Sequence, residues 1–175
     1  MVSSRKGWHL KFFMDKQRVP QDKICSVFGH RDVAVTKELH TATTDAIESA
    51  LDFGCRIFYF GGYGDFDELC YQIVSDILTK RPALHIQRVY CVPQEKYLYK
   101  KVRYFNKEDY DEVIFLPPAY SGWYKSIYYR NCAMIDKSDC VIFYCQNREN
   151  SGAHKAYGYA KKKKGKQICN LFEAE

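Results

Sequence analysis

YRNCAMIDKSDCVIFYC at residues 129–145, continued by the polar loop QNREN at 146–150 and by SGAHKAYGYA at 151–160, decides how this chain is read. Residues 140–145 form an unbroken apolar run, bounded by Asp139 and Gln146. A run of that length without polar alternation marks a strand buried on both faces. Ser151 and Gly152 then open a helix in which Ala153, Ala156, Tyr157 and Ala160 recur at helical spacing. A loop leaving the carboxyl end of a buried strand therefore feeds directly into a helix N-terminus. Unpaired backbone N–H groups and the positive end of the helix dipole meet there, and α/β sheets bind anions at such places.

The same plan repeats upstream. Residues 24–28 predict a first strand that ends in Gly29, His30 and Arg31. Residues 36–53 carry Leu39, Ala42, Ala46, Ile47, Ala50 and Leu51 on one helical stripe, stopped by Gly54. Residues 56–60 predict a second strand, which runs into Gly61, Gly62 and Gly64, then Asp65, Asp67 and Glu68, and then a helix marked by Leu69, Ile73, Val74, Ile77 and Leu78. Pro82 ends that helix; residues 84–92 predict a third strand and 112–116 a fourth. Alternating strands and helices with glycine at the turns imply an α/β fold, a Rossmann-like three-layer sandwich with a mostly parallel, doubly wound sheet. Residues 1–22 are read as an N-terminal tail and 23–175 as a single domain. The irregular stretch 93–126, basic and aromatic around 96–105, is expected to cover the site.

With 175 residues, 46% of them hydrophobic and 27% charged, the chain can bury one core. Its net charge of +6, to which Lys161, Lys162, Lys163 and Lys164 contribute, suits a phosphate or nucleic-acid ligand without selecting between them. None of the eight cysteines stands in a Cys-x-x-Cys pair. Cys25, Cys55, Cys91, Cys140, Cys145 and Cys169 lie in or beside apolar runs, where cysteine acts as a small hydrophobe. Buried, reduced thiols and a cytoplasmic location are expected, with no bound metal and no cofactor. No apolar stretch approaches the roughly 20 residues that span a bilayer, and the N-terminus has no apolar signal core. Neither a membrane partner nor secretion is expected.

Glycine at Gly61, Gly62 and Gly64 lets the chain turn with positive φ and lets a phosphate or ribose approach backbone N–H groups. The run is neither a Walker loop nor the dinucleotide fingerprint. Asp65, Asp67 and Glu68 either compensate the helix dipole or hold ribose hydroxyls and assist cleavage of a glycosidic bond. His30 and Arg31 stand at the same sheet edge, as loop residues or as ligand contacts. Arg130 is either a phosphate clamp or a partner in a helix-surface ion pair. The lysine run either solvates a helix end or meets nucleic acid, and the tyrosine-rich stretch before Arg130 either stacks bases or packs.

Residues 130–139, the buried strand and loop after them, Ser151, Gly152, Tyr159, Ala160, Gly165 and Lys166 resemble the second half of YpsA-like proteins of bacteria and phages. Phe28, Gly29, His30 and Arg31, with Gly61, Gly62 and the Gly64-Asp65-Phe66-Asp67 run, resemble their first half. These proteins belong to the SLOG superfamily, which joins the DNA-processing protein A group with the LONELY GUY group. The resemblance implies a Rossmann-like fold and a nucleotide or nucleotide-derived ligand, ADP-ribose-like for instance, bound across the carboxyl ends of strands one, two and five. It assigns one wall to Gly29, His30 and Arg31. Gly61, Gly62, Gly64 and Asp67 would hold ribose or phosphate, Arg130 and Asn131 would clamp charge, and Ser151 and Gly152 would offer N–H groups. Tyr120, Trp123 or Tyr124 would stack on a base. The LONELY GUY motif lies over residues 61–68 with Phe60 in place of its proline and Asp65 in place of its threonine. An enzyme of this kind, an N-glycosidase, phosphoribohydrolase or deoxyribosyltransferase, would use Glu68 or Asp67 for departure of the base and Arg130 for the phosphate. Single-stranded nucleic-acid binding is the third expectation, and a homodimer or larger homo-oligomer the expected assembly.

Overall fold

The computed structural model describes residues 22–93, 109–116 and 123–172, with side chains from Lys125 onward in the last segment. Six strands, β1 (Lys23–Gly29), β2 (Cys55–Phe60), β3 (Gln87–Val92), β4 (Glu112–Phe115), β5 (Cys140–Tyr144) and β6 (Gln167–Asn170), make one sheet in the order β4-β3-β2-β1-β5-β6. Every neighbouring pair is parallel. Among the described residues four helices accompany it: α1 (Lys37–Asp52), α2 (Asp65–Lys80), α3 (Trp123–Lys137) and α4 (Gly152–Ala160).

Period-two alternation decides which face each strand residue serves. Val27, Phe58, Phe60 and Ile142 pack with Leu39, Ile47, Leu51, Leu69, Ile73 and Ile77 of α1 and α2. Their chain neighbours Phe28, Tyr59, Val141 and Phe143 point the other way and pack with Met134 and Ile135 of α3 and Ala153, Ala156 and Ala160 of α4. The three alanines let α4 lie close to the sheet. β5 is buried from Cys140 through Phe143, as a strand covered on both faces must be.

Local chemistry accounts for the element ends. Thr36 caps α1 by accepting from the Leu39 N–H at 3.2 Å, and Ser151 caps α4 by accepting from the His154 N–H at 3.1 Å. Asp139 accepts from the Ile24 N–H at 3.0 Å, while Ser138 Oγ lies 2.6 Å from Ser26 Oγ, so the turn between α3 and β5 is tied to β1.

Two expectations are corrected. The third strand starts at Gln87 rather than at residue 84, because Pro82–Leu84 form a single 3-10 turn closed by His85 at φ 50°. Proline has no N–H to give a ladder and suits the first position of such a turn. All eight cysteines are free, but Cys169 is exposed: it sits on the edge strand β6, whereas the other seven are buried. Among the described residues no helix is long and apolar enough to cross a membrane.

Candidate functional site

Strand order reverses between β1 and β5, since β2 lies on one side of β1 and β5 on the other. Connections leave in opposite directions from that point and open a crevice beyond the carboxyl ends of the strands. A cleft of about 350 Å³ occupies it. Of the residues expected there, Gly29, His30, Arg31, Gly61, Asp67, Arg130, Asn131, Ser151 and Gly152 all line it; Gly62, Gly64 and Glu68 do not.

Asp67, in the first turn of α2, is buried under the cleft floor and accepts from the N–H groups of Gly61 at 3.0 Å and Gly62 at 2.9 Å. These amides are therefore spent inside the protein, which corrects the expectation that the glycine turn offers them to a phosphate. Burial pushes the Asp67 carboxyl up to about 6; the two amide hydrogen bonds and the Arg130 charge act against that rise.

Arg130, only 4% exposed, donates from Nη1 to the carbonyls of Gly61 at 3.0 Å and Cys91 at 2.9 Å, and from Nε to Asn131 Oδ1 at 3.0 Å. It thus bridges the ends of β2 and β3 from α3. Arg130 also lines the cleft. Among the described residues it forms no ion pair, so the helix-surface pair considered from sequence is not found there.

His30 lines the cleft too, and its Nε2 accepts from the Gln146 N–H at 3.0 Å, so the neutral ring carries its proton on Nδ1. Burial, with the nearby Arg148 charge second, lowers its pKa and keeps that neutral form.

The glycines have packing reasons. A Cβ on Gly29 would stand 2.5 Å from Phe66 Cβ, and one on Gly64, where φ is +111°, would stand 2.8 Å from Arg31 Cα. Gly64 thereby lets the loop after β1 cross the start of α2, where Asp65 N–H donates to the Arg31 carbonyl at 2.8 Å. Glu68 points along α2 and accepts from Gln72 at 2.9 Å.

Sequence reading missed Arg148, Tyr63, Asp32 and Ile127, which also line the cleft. Arg148 lies in the loop between β5 and α4, and the rule that selected Ser151 could have selected it. Its Nε donates to Gln146 Oε1 at 2.9 Å. Arg31 lays its guanidinium 4.4 Å from the centre of the Tyr63 ring. Asn170 of β6 holds this wall in place, accepting from the Cys145 N–H and donating to the Cys145 carbonyl, both at 3.0 Å. At the α4 N-terminus Gly152 and Ala153 have N–H groups that no intrahelical carbonyl can accept. Tyr120, the side chains of Trp123 and Tyr124, and the basic aromatic stretch 96–105 lie outside the described residues.

No protein-family model matches the sequence, and no curated protein sequence matches it. Solved structures do match. DNA processing protein A of Streptococcus pneumoniae aligns at 15% identity with a TM-score of 0.57, over 84% of this chain and 49% of its own. A molybdenum cofactor binding protein from the phototrophic bacterium Rippkaea orientalis aligns at 18% identity and a TM-score of 0.55, over 86% of this chain and 77% of its own. DNA processing protein A of Helicobacter pylori, described for its single-stranded DNA binding mode, aligns at 14% identity and 0.54, over 84% and 64%. The chain spans about half the length of the S. pneumoniae protein. At these identities the likeness is one of fold alone: an α/β Rossmann-like sheet of the kind that DNA processing protein A has.

Proposed function

We propose that this chain binds a nucleotide or nucleotide-derived ligand at the β1/β5 cleft, as a sensor or carrier, in the manner of YpsA-like members of the SLOG superfamily. One observation carries the reading. Arg31, Arg130 and Arg148 converge with the α4 N-terminus on one cleft, and none of them is in an ion pair with a carboxylate among the described residues. Among the described residues the acids in the lining are Asp67, occupied by two amides, and Asp32. Such a site favours an anion with more than one charged group, and its 350 Å³ lies at the small end of ligand pockets, about 300–1,000 Å³. An ADP-ribose-like molecule combines those properties. Arg130 and the Gly152 and Ala153 N–H groups would take phosphate, and the Tyr63 ring with its stacked Arg31 would flank a base or ribose.

The test is mass spectrometry of small molecules released by denaturing the purified protein, with Arg31→Ala/Arg148→Ala as control. These two side chains are exposed, so the control keeps the fold. A nucleotide derivative present in the wild type and depleted in the control is the expected result. A wild-type protein that arrives empty and gives no thermal shift with nucleoside phosphates would overturn the reading.

A second reading is favoured by Asp67, whose carboxyl at about 6 beside Arg130 has the value of a general acid working near neutrality. It makes the chain an N-glycosidase or transferase in which Asp67, not Glu68, protonates the departing base. Free base released from a nucleoside monophosphate by the wild type and not by Asp67→Asn would establish it; equal rates would end it. The H. pylori neighbour's single-stranded DNA suggests another polyanion, but a strand needs surface beyond a cleft of this size.

A further inference from the structure

Three cysteines converge near the amino ends of the central strands, at the opposite end of the sheet from the cleft. Cys25 of β1 stands in register with Cys140, the first residue of β5, and Cys55 opens β2 on the other side of β1. The Cys25 and Cys55 thiols both hydrogen-bond to Cys140. All three belong to the core on the α1–α2 face, and Cys25 and Cys55 are inaccessible to solvent. Cys140 differs, because it lines a concavity of about 190 Å³ bounded by α1, β5 and β6. There α1 presents Ala46, Ser49 and Ala50, small side chains that keep the space open down to Cys140. Among the described residues no three His, Cys, Asp or Glu side chains are disposed to hold a metal ion, so the cluster offers thiol chemistry rather than ligation.

Thiols buried in apolar surroundings are ordinarily inert, because burial disfavours the thiolate. Here the hydrogen bonds from Cys25 and then Cys55, joined by the Val141 N–H, hold the Cys140 thiol below its ordinary range, against burial and the Asp139 charge. The same contact with Cys140 raises the Cys25 and Cys55 thiols, so they stay protonated and donate. Register decides which pair can be joined. Neighbouring strands lie about 4.8 Å apart, which puts the Cys25 and Cys140 Cα atoms within the span of a disulfide, about 4.4–6.8 Å. Cys55 pairs with Lys23, two residues before Cys25, and Cys169 pairs with Ile142, two residues after Cys140. Each of those diagonals is about 8 Å, and Cys55 is separated from Cys140 by the whole of β1, so all exceed that span. We propose that Cys140 is a hydroperoxide-reactive thiolate and Cys25 the thiol that resolves it. The Cys140 sulfur attacks one peroxide oxygen and the O–O bond breaks. Sulfur is oxidised by two electrons to the sulfenic acid, and the other oxygen takes a proton from solvent and leaves as water or an alcohol. The Cys25 sulfur then attacks Cys140 Sγ, its proton departs with the displaced hydroxide as water, and an S–S bond closes between β1 and β5. A water molecule takes about 30 Å³, so hydrogen peroxide fits the concavity. This inference does not depend on what the cleft holds.

The experiment treats the reduced full chain with equimolar hydrogen peroxide, blocks the remaining thiols with N-ethylmaleimide in denaturant, and maps linked peptides by mass spectrometry without reduction. A Cys25–Cys140 linkage is expected in the wild type, and equally in Cys169→Ala, which removes the exposed thiol. Cys25→Ala is expected to lose the linkage and to accumulate sulfenic acid at Cys140, trapped by dimedone. Cys140→Ala is expected to lose both, with circular dichroism melts verifying that each variant is folded. The proposal is overturned if peroxide oxidises Cys169 while Cys25 and Cys140 remain thiols, or if Cys140 joins Cys55 or Cys169 instead. It is also overturned if the Cys25–Cys140 linkage appears only when peroxide is added to the denatured chain. These outcomes are read on the wild type, so they decide the matter even where a variant fails to fold.

Discussion

Replacing Arg130 with alanine removes a donor that holds three elements together. Its guanidinium, on α3, donates to the Gly61 carbonyl just past β2 and to the Cys91 carbonyl within β3. Hydrogen bonds to a charged group contribute about 1.5–3 kcal/mol each, so the loss of two at a buried position is worth roughly 3–6 kcal/mol. For a domain of this size that corresponds to a fall in Tm of roughly 6–24 °C. Asp67 adds to the effect, because the Arg130 charge is one of the influences that restrain its carboxyl from rising further. The assay is urea denaturation followed by circular dichroism, comparing the wild type with Arg130→Ala and Arg130→Lys. Lysine keeps the charge but lacks the planar fork, and an intermediate midpoint is expected for it. An Arg130→Ala unfolding free energy within about 0.5 kcal/mol of the wild type would refute the view that Arg130 is part of the scaffold as well as of the cleft wall. This double role is why the exposed arginines Arg31 and Arg148, not Arg130, are the sound controls for ligand binding.

Further expectations concern the groups around the cleft. The Asp67 carboxyl rises from 3.8 to about 6 on folding, so it contributes stability below pH 4 that is lost as pH climbs through 6, with an amplitude of about 3 kcal/mol. Stability–pH curves of the wild type and Asp67→Asn should therefore diverge between pH 4 and 7, and parallel curves would contradict the assignment. Gly64→Ala forces a Cβ into a left-handed backbone 2.8 Å from Arg31 Cα, and a loss of about 2–6 kcal/mol is expected in the same urea assay; a neutral result would mean that this crossing can relax. Asn170→Ala strips both partners from the Cys145 backbone and is expected to cost about 2–3 kcal/mol. Hydrogen exchange in residues 146–150 should speed up, and unchanged exchange there would show that Asn170 does not position the Arg148 loop.

The sequence alone determined the elements and their kind. The apolar run at residues 140–145, the alanine and tyrosine spacing of residues 153–160 and the glycine turns after the first two strands are local patterns, and local geometry is what side-chain periodicity records. They were enough to expect a crevice beyond the carboxyl ends of the strands, because a doubly wound sheet opens one where its strand order reverses. They were not enough to say what each residue does. Gly29 is assigned to a wall of the cleft and lines it, yet what demands a glycine there is Phe66, far along the chain, whose ring and Cβ fill the space a side chain would take. Gly61 and Gly62 read as phosphate amides, yet both donate to Asp67. Arg130 reads as a free clamp, yet two of its acceptors lie 69 and 39 residues away. Only the strand order β4-β3-β2-β1-β5-β6 brings those atoms together. A carbonyl or a ring that satisfies a side chain from another strand leaves no mark on the period of the helix that carries it, so such partners emerge only when the sheet is assembled.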